Sequence, residues 1–225
     1  MLRNKKLTTA WVLFAVWLYG AWAVTELLLV PQLQKAVPNE YLLVLLRDGL
    51  LKNVIWTLPA CLLIRHFSRS LAIPAKELFS FHRKDLRYLL PLGGLLAVFV
   101  VLGAVMRHGF SLSESFHPSQ LLIVPFVGIS EESVFRGFLL NATLKGAETD
   151  RPKIIAVAVN AVMFLVVHFP IWISSGVFVQ SFTHFGFITI LVLSGLFSFC
   201  TIRCRSLWVA VILHSVYDGL VFLLV

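Results

Sequence analysis

A chain of 225 residues that is 59% hydrophobic and only 13% charged, with a mean hydropathy of +0.89, is too apolar for water. Soluble domains sit near half apolar and a quarter charged, so the composition excludes a soluble enzyme or binding module and points to an all-α, polytopic membrane helical bundle. The net charge of +8 does not call for nucleic acid, because the basic residues cluster beside hydrophobic runs, as the inner flanks of membrane spans do.

Arg3, Lys5 and Lys6 precede an apolar run from Thr9 to Val30. That run is longer than a signal-peptide core, and no small-x-small cleavage pattern closes it, so it reads as the first span. Glu26 lies near its outer end, where water is expected to reach it. The second span carries Arg47, Asp48 and Lys52. The four-residue spacing pairs Asp48 with Lys52 and leaves Arg47 to snorkel or bind elsewhere. Residues 65–87 form the longest and most basic loop, with Phe67, Leu71, Leu78, Phe79 and Phe81 interleaved. It suits either an amphipathic piece on the inner leaflet or a bare topology signal.

About seven spans follow, near 9–30, 41–64, 88–106, 120–144, 153–169, 183–202 and 206–225, each close to the ~20 residues that a bilayer requires. Pro170 breaks the fifth, and Ile171 to Phe182, uncharged but short, belongs at the interface or in a re-entrant turn. With the N-terminus inside, the outer segments hold only Lys35 and Arg107. The inner ones hold Arg3, Lys5, Lys6, Arg65, Arg69, Lys76, Arg83, Lys84, Arg87, Lys145, Arg151, Lys153, Arg203 and Arg205. This asymmetry puts the N-terminus in the cytoplasm and the C-terminus outside. The whole chain, 1–225, reads as one integral membrane domain.

The fourth span contains Glu131, Glu132 and Arg136. Ionisable groups at membrane depth cost roughly 2.5–3.5 kcal/mol each on insertion scales and must be paired, hydrated or used. Glu132 and Arg136 share a helix face. Glu131 points about 100° away and has no partner in its own segment. The fifth span places Phe164 one turn from His168, and the seventh places His214 one turn from Asp218. The depths estimated for Glu131, His168 and His214 allow the three groups to meet if their helices pack together.

Other polar and aromatic residues carry less. His66, His82, His108, His117 and His184 fall in loops or at span edges. Trp11, Trp17, Trp22, Trp56, Trp172 and Trp208 fit lipid contact and interfacial belts. Cys61, Cys200 and Cys204 lie in or beside apolar runs and read as packing residues, since an odd count offers no disulfide framework.

The motifs Glu131-Glu132-x-x-x-Arg136, Phe164-x-x-x-His168 and His214-x-x-x-Asp218, in this order and each in a hydrophobic span, resemble those of the CPBP intramembrane proteases, the CAAX-protease and bacteriocin-processing group. Ser206-Leu207-Trp208-Val209-Ala210 resembles the family's lead-in to the third motif. The resemblance covers about 120–225. It implies an endopeptidase acting on a membrane-associated peptide or protein in the lipid bilayer, and its branch is that of the bacterial plasma membrane. It further implies that Glu131, helped by His168, activates a water. His214 and Asp218 would stabilise the oxyanion, while Glu132 and Arg136 hold the site together. An ionised aspartate cannot donate a hydrogen bond, so Asp218 is expected to orient His214 and keep it cationic. Water is expected to arrive through a cavity among spans four, five and seven.

No cofactor is required on this reading. A Zn2+ or other divalent ion held by Glu131, His168 and His214, with water in a fourth position, is the metal version, although the chain has no His-Glu-x-x-His. Two other classes account for the same residues: a non-catalytic scaffold or immunity protein that keeps them for packing, and a proton-coupled carrier that uses them as a relay.

Overall fold

The computed structural model describes residues 4–109, 111–113, 116–147 and 149–224, without the side chains of His108 and Ser119. Arg3 and the His108 ring, both used in the sequence reading, lie outside that description. Among the described residues every regular element is helical.

The long helices are α1 (Lys5–Ala36), α2 (40–66), α3 (Leu86–His108), α4 (119–143) and α5 (Asp150–Val166). Two short helices follow, α6 (Phe169–Ser174) and α7 (Phe178–Thr183), and then α8 (Gly186–Cys204) and α9 (Trp208–Leu224). Four helices are long and apolar enough to cross a membrane on length and composition: Lys5–Ala36, Arg83–Arg107, Asp150–Ser174 and Gly186–Cys204. The two stretches of crossing length that carry charge, α2 and α4, and the shorter α9 complete the bundle. Large apolar side chains such as Leu13, Val16, Leu90, Leu95, Phe99, Leu122 and Val192 face outward. That much contiguous exposed apolar surface belongs in lipid, not in water.

Pro170 sits in the first turn of α6, where its missing N–H costs nothing, so the uncharged 171–182 stretch folds into two one-to-two-turn helices. Prolines shape α1 and α2 differently. Pro31 and Pro59 each follow a π-helical segment, Thr25–Leu29 and Asn53–Thr57. A proline cannot donate to the carbonyl four residues back, and the ladder re-registers into wider turns. The carbonyl freed by Pro59, that of Ile55, accepts instead from Trp17 Nε1 at 3.1 Å.

The core is built from separate hydrophobic clusters. Leu7, Phe14, Leu18 and Trp22 of α1 pack with Trp56, Ala60 and Ile64 of α2, Phe135 and Phe138 of α4, and Phe164 of α5. A second cluster joins Leu96 of α3 to Phe197 and Cys200 of α8 and Leu213 of α9. α9 packs against both α3 and α4, and α8 against α5. Gly128 sets the α4–α9 crossing: a Cβ there would stand 2.7 Å from Ser215 Oγ and 3.2 Å from the Val211 carbonyl. Small residues at such crossings let helix backbones approach closely.

The 65–87 loop does not spread as an amphipathic piece. Leu71, Ile73 and Leu78 are buried in the core, whereas Phe79 and Phe81 stay exposed. Asn141 clamps it through Ile73, accepting from the backbone N–H at 2.7 Å and donating to the carbonyl at 2.9 Å. The start of α9 is fastened to the same loop. Leu207 N donates to the Leu78 carbonyl at 2.8 Å, Trp208 Nε1 to that of Phe79 at 3.0 Å, and Ser206 Oγ to that of Ser80 at 2.5 Å.

Candidate functional site

The close crossing at Gly128 brings the acidic pair of α4 against the histidine of α9. Glu132 is fully buried, and its Oε1 accepts from Arg136 Nη1 at 3.1 Å and from His214 Nδ1 at 2.8 Å. The Arg136 guanidinium, also fully buried, donates through Nη2 to the Oγ (2.8 Å) and carbonyl (3.2 Å) of Ser194 on α8. It lies 4.5 Å from the Phe164 ring centroid and 5.5 Å from that of Phe197. The His214 ring stacks on Phe197, with centroids 5.0 Å apart and planes at 19°. One motif from each of α4, α5 and α9 therefore meets around a single guanidinium.

Glu131, 5% exposed, turns to the other side of the crossing. Its Oε1 accepts from Lys52 Nζ at 2.5 Å, and its Oε2 lies 3.7 Å from His214 Nε2. The second distance is an ion-pair contact but too long for a direct hydrogen bond. Asp218 Oδ2 stands 3.4 Å from the same Nε2. His168 Nδ1 lies 2.6 Å from the Phe164 carbonyl, and its ring meets Phe164 edge-on at 5.0 Å. Because a carbonyl only accepts, Nδ1 carries the proton, and in the neutral form of the ring the lone pair lies on Nε2. The same Phe164 ring lies 6.1 Å from that of His214, so His168 and His214 flank one phenylalanine.

The structure thus brings together Glu131, Glu132, Arg136, Phe164, His168, His214 and Asp218. It corrects the sequence reading at several points. Lys52 pairs with Glu131, not with Asp48. Asp48 is taken by its neighbour Arg47, whose Nη2 donates at 2.7 Å. Lys52 lies between the π-helical stretches Leu45–Leu51 and Asn53–Thr57, where wider turns displace the four-residue stacking of an α-helix. The second span is consequently part of the site. Trp22 and Trp56, expected at lipid or the interface, are buried and stand over Lys52 Nζ at 5.5 and 4.7 Å. Glu132, not Asp218, takes the Nδ1 side of His214. Glu26 is fully buried rather than wetted, with Arg47 Nε 4.0 Å away.

A cleft of about 830 Å³ between α5 and α8 is lined by residues such as Val157, Ala161, Leu191, Gly195 and Phe199. None of the site residues lines it. The rings of Phe135, Phe164 and Phe197 fill the space between the motif helices instead.

The residues do not suit the divalent ion that Glu131, His168 and His214 would hold. The Lys52 ammonium already occupies Glu131 Oε1 and would lie beside any cation bound there. Among the described residues no group of three His, Cys, Asp or Glu has ligand geometry.

Interior acids, imidazoles and permanent cations, sealed by aromatic rings between helices whose outer faces suit lipid, define the class: an integral membrane protein with a polar centre built inside its bundle. Residues 113–220 match the family model described as type II CAAX prenyl endopeptidase Rce1-like. That match, over somewhat less than half of the chain, is consistent with the resemblance of its ordered motifs to the CPBP intramembrane proteases. No curated protein and no solved structure matches the chain.

Proposed function

We propose that the chain is an intramembrane endopeptidase that hydrolyses a peptide bond of a membrane-associated protein or peptide, CAAX-type or a leader or signalling peptide, using water activated by Glu131 and His168. One observation carries this reading. Within the stretch matched to a protease family, the buried Glu131 carboxylate has one oxygen tied to Lys52 and the other turned toward His214.

Peptide hydrolysis needs a base for the water proton, a donor for the oxyanion and a proton for the departing amine. Glu131 Oε2 takes the proton of the attacking water, and the unprotonated Nε2 of His168 assists. Charge balance supports an imidazolium at His214. Glu131, Glu132 and Asp218 bring three carboxylates against the two permanent cations Lys52 and Arg136, and buried charges persist only when paired. Glu132 holds Nδ1–H, so Nε2–H is the donor for the oxyanion, with Asp218 beside it to keep the ring charged. Glu131 then returns its proton to the leaving amine as the intermediate collapses. On this proposal the chain spans a bacterial plasma membrane seven times, with its N-terminus in the cytoplasm.

The test is Glu131→Gln in the full chain, reconstituted in nanodiscs and offered a farnesylated CAAX peptide and a panel of leader peptides. Loss of cleavage by at least ~100-fold, with thermal stability kept, is the expected result. Undiminished biological function in that variant would favour the scaffold. Proton flux in vesicles that disappears with Glu131 would favour the carrier.

A further inference from the structure

Lys52 lies outside the matched stretch 113–220 and outside all three motifs, yet it donates directly to Glu131 Oε1. Its surroundings are built around the ammonium. Lys52 is 5% exposed, and a buried cation costs several kcal/mol unless it is paired and enclosed. The Trp56 and Trp22 rings enclose it, themselves packed edge to face with centroids 4.9 Å apart. Indole faces attract a cation but leave its directed hydrogen bond to Glu131. Wider turns such as the two that flank Lys52 recur at functional sites. Asp48, four residues before it on the same helix, is engaged by Arg47, so Lys52 is not consumed in a local pair.

A carboxylate that activates water has two oxygens and uses one. Lys52 takes Oε1, which fixes the rotation of the group and leaves Oε2 toward His214 Nε2. We propose that Lys52 is a positioning residue of the hydrolytic centre: locked between Trp22 and Trp56, it keeps Glu131 ionised and turned so that Oε2 meets the reacting water. The inference rests on the endopeptidase reading above. It makes the N-terminal half part of the catalytic apparatus rather than a mere anchor.

The test is Lys52→Met in the full chain in phospholipid nanodiscs, with two readouts. Infrared spectroscopy reads the acid. An unpaired buried carboxylate takes up a proton, so the variant gains a protonated-carboxyl stretch at neutral pH. It is read in the difference spectrum against wild type, in which other buried acids such as Glu26 cancel, and adding Glu131→Gln removes it again. Cleavage of a farnesylated CAAX peptide reads the reaction. kcat falls at least ~100-fold, as for loss of a general base, while KM stays within about threefold because Lys52 does not touch substrate. Lys52→Arg, which keeps the cation, recovers part of the loss. A folded Lys52→Met without the new stretch, or with kcat no more than about threefold below wild type, overturns the proposal. Should that variant not fold, Lys52→Gln, which retains an N–H for Oε1 without the charge, is read in the same way. A wild-type protein that does not cut the peptide counts against the endopeptidase reading, and the carboxyl stretch still decides the role of Lys52.

Discussion

Glu132 Oε1 serves two donors at once, Arg136 Nη1 and His214 Nδ1. One oxygen therefore joins the structural pair to the proposed oxyanion donor. Asp218, on the opposite nitrogen, is then free of any duty to orient the ring, and its charge is what matters. Asp218→Asn keeps the size and removes the charge. It is expected to leave folding intact and lower kcat by roughly 10-fold or more, the scale of one electrostatic contact in a dry site, as measured by initial rates at saturating peptide. A rise in kcat would mean that an amide donor serves the oxyanion better, and the imidazolium role would be abandoned. At this scale much was legible in the sequence. Glu132 with Arg136 and His214 with Asp218 are same-helix neighbours, and His168 stands four residues from Phe164 just past the end of α5, spacings that periodicity reports directly. The partners of Glu131 were not legible. Lys52 is 79 residues away, and no spacing rule says which helix faces which.

Helix α2 shows the limit of periodicity. A regular α-helix would stack Asp48 on Lys52, but the π-helical turns before Pro59 change the register, and the cation is delivered to α4. The composition of α2 reveals a helix, whereas its winding depends on Pro59, which cannot donate to the Ile55 carbonyl and leaves it to the Trp17 indole. The α4–α9 crossing is more readily tested. Gly128→Ala places a methyl against Ser215 Oγ and the Val211 carbonyl. It should destabilise the protein by about 1–3 kcal/mol, as overpacking does, read as a lowered melting temperature in detergent. Ser215→Ala should restore only part, because the backbone carbonyl remains. Outside the spans, Arg205 takes a left-handed conformation (φ 53°) and forms a two-point pair with Glu77 at 2.5 and 2.8 Å. The hydrogen bond from the Arg205 guanidinium holds the Glu77 carboxyl below its usual value of 4.5. A depressed carboxyl stabilises the fold above its unfolded pKa and loses that contribution as pH falls through the folded one. Wild type should therefore exceed Glu77→Gln in melting temperature at neutral pH, by no more than the ~1 kcal/mol of an exposed pair. The difference should vanish in acid below the folded pKa and shrink in high salt.

Across the molecule, the sequence announced a helical membrane protein through composition alone, and charge asymmetry proposed its orientation. Single cysteines introduced at 69, 84 and 151 in a cysteine-free background should react with an impermeant maleimide only from the cytoplasmic side, and one at 35 only from outside. Labelling of 69 and 35 from the same side would overturn the seven-span topology. What the sequence did not convey is that the 65–87 loop belongs to the core. Its hydrophobic residues are too few and too irregular to distinguish burial from lipid contact. The fastening of Ser206, Leu207 and Trp208 to the carbonyls of residues 78–80 has a mechanical consequence. His214 rides six residues, about 9 Å, above that seam on a rigid rod, so the seam acts as the datum from which the imidazole's height is measured. A peptide tail or lipid that levers residues 78–80 by even one ångström would carry the ring the same distance relative to the acid opposite, and so throttle the proposed hydrolysis from a seam far from the acid itself.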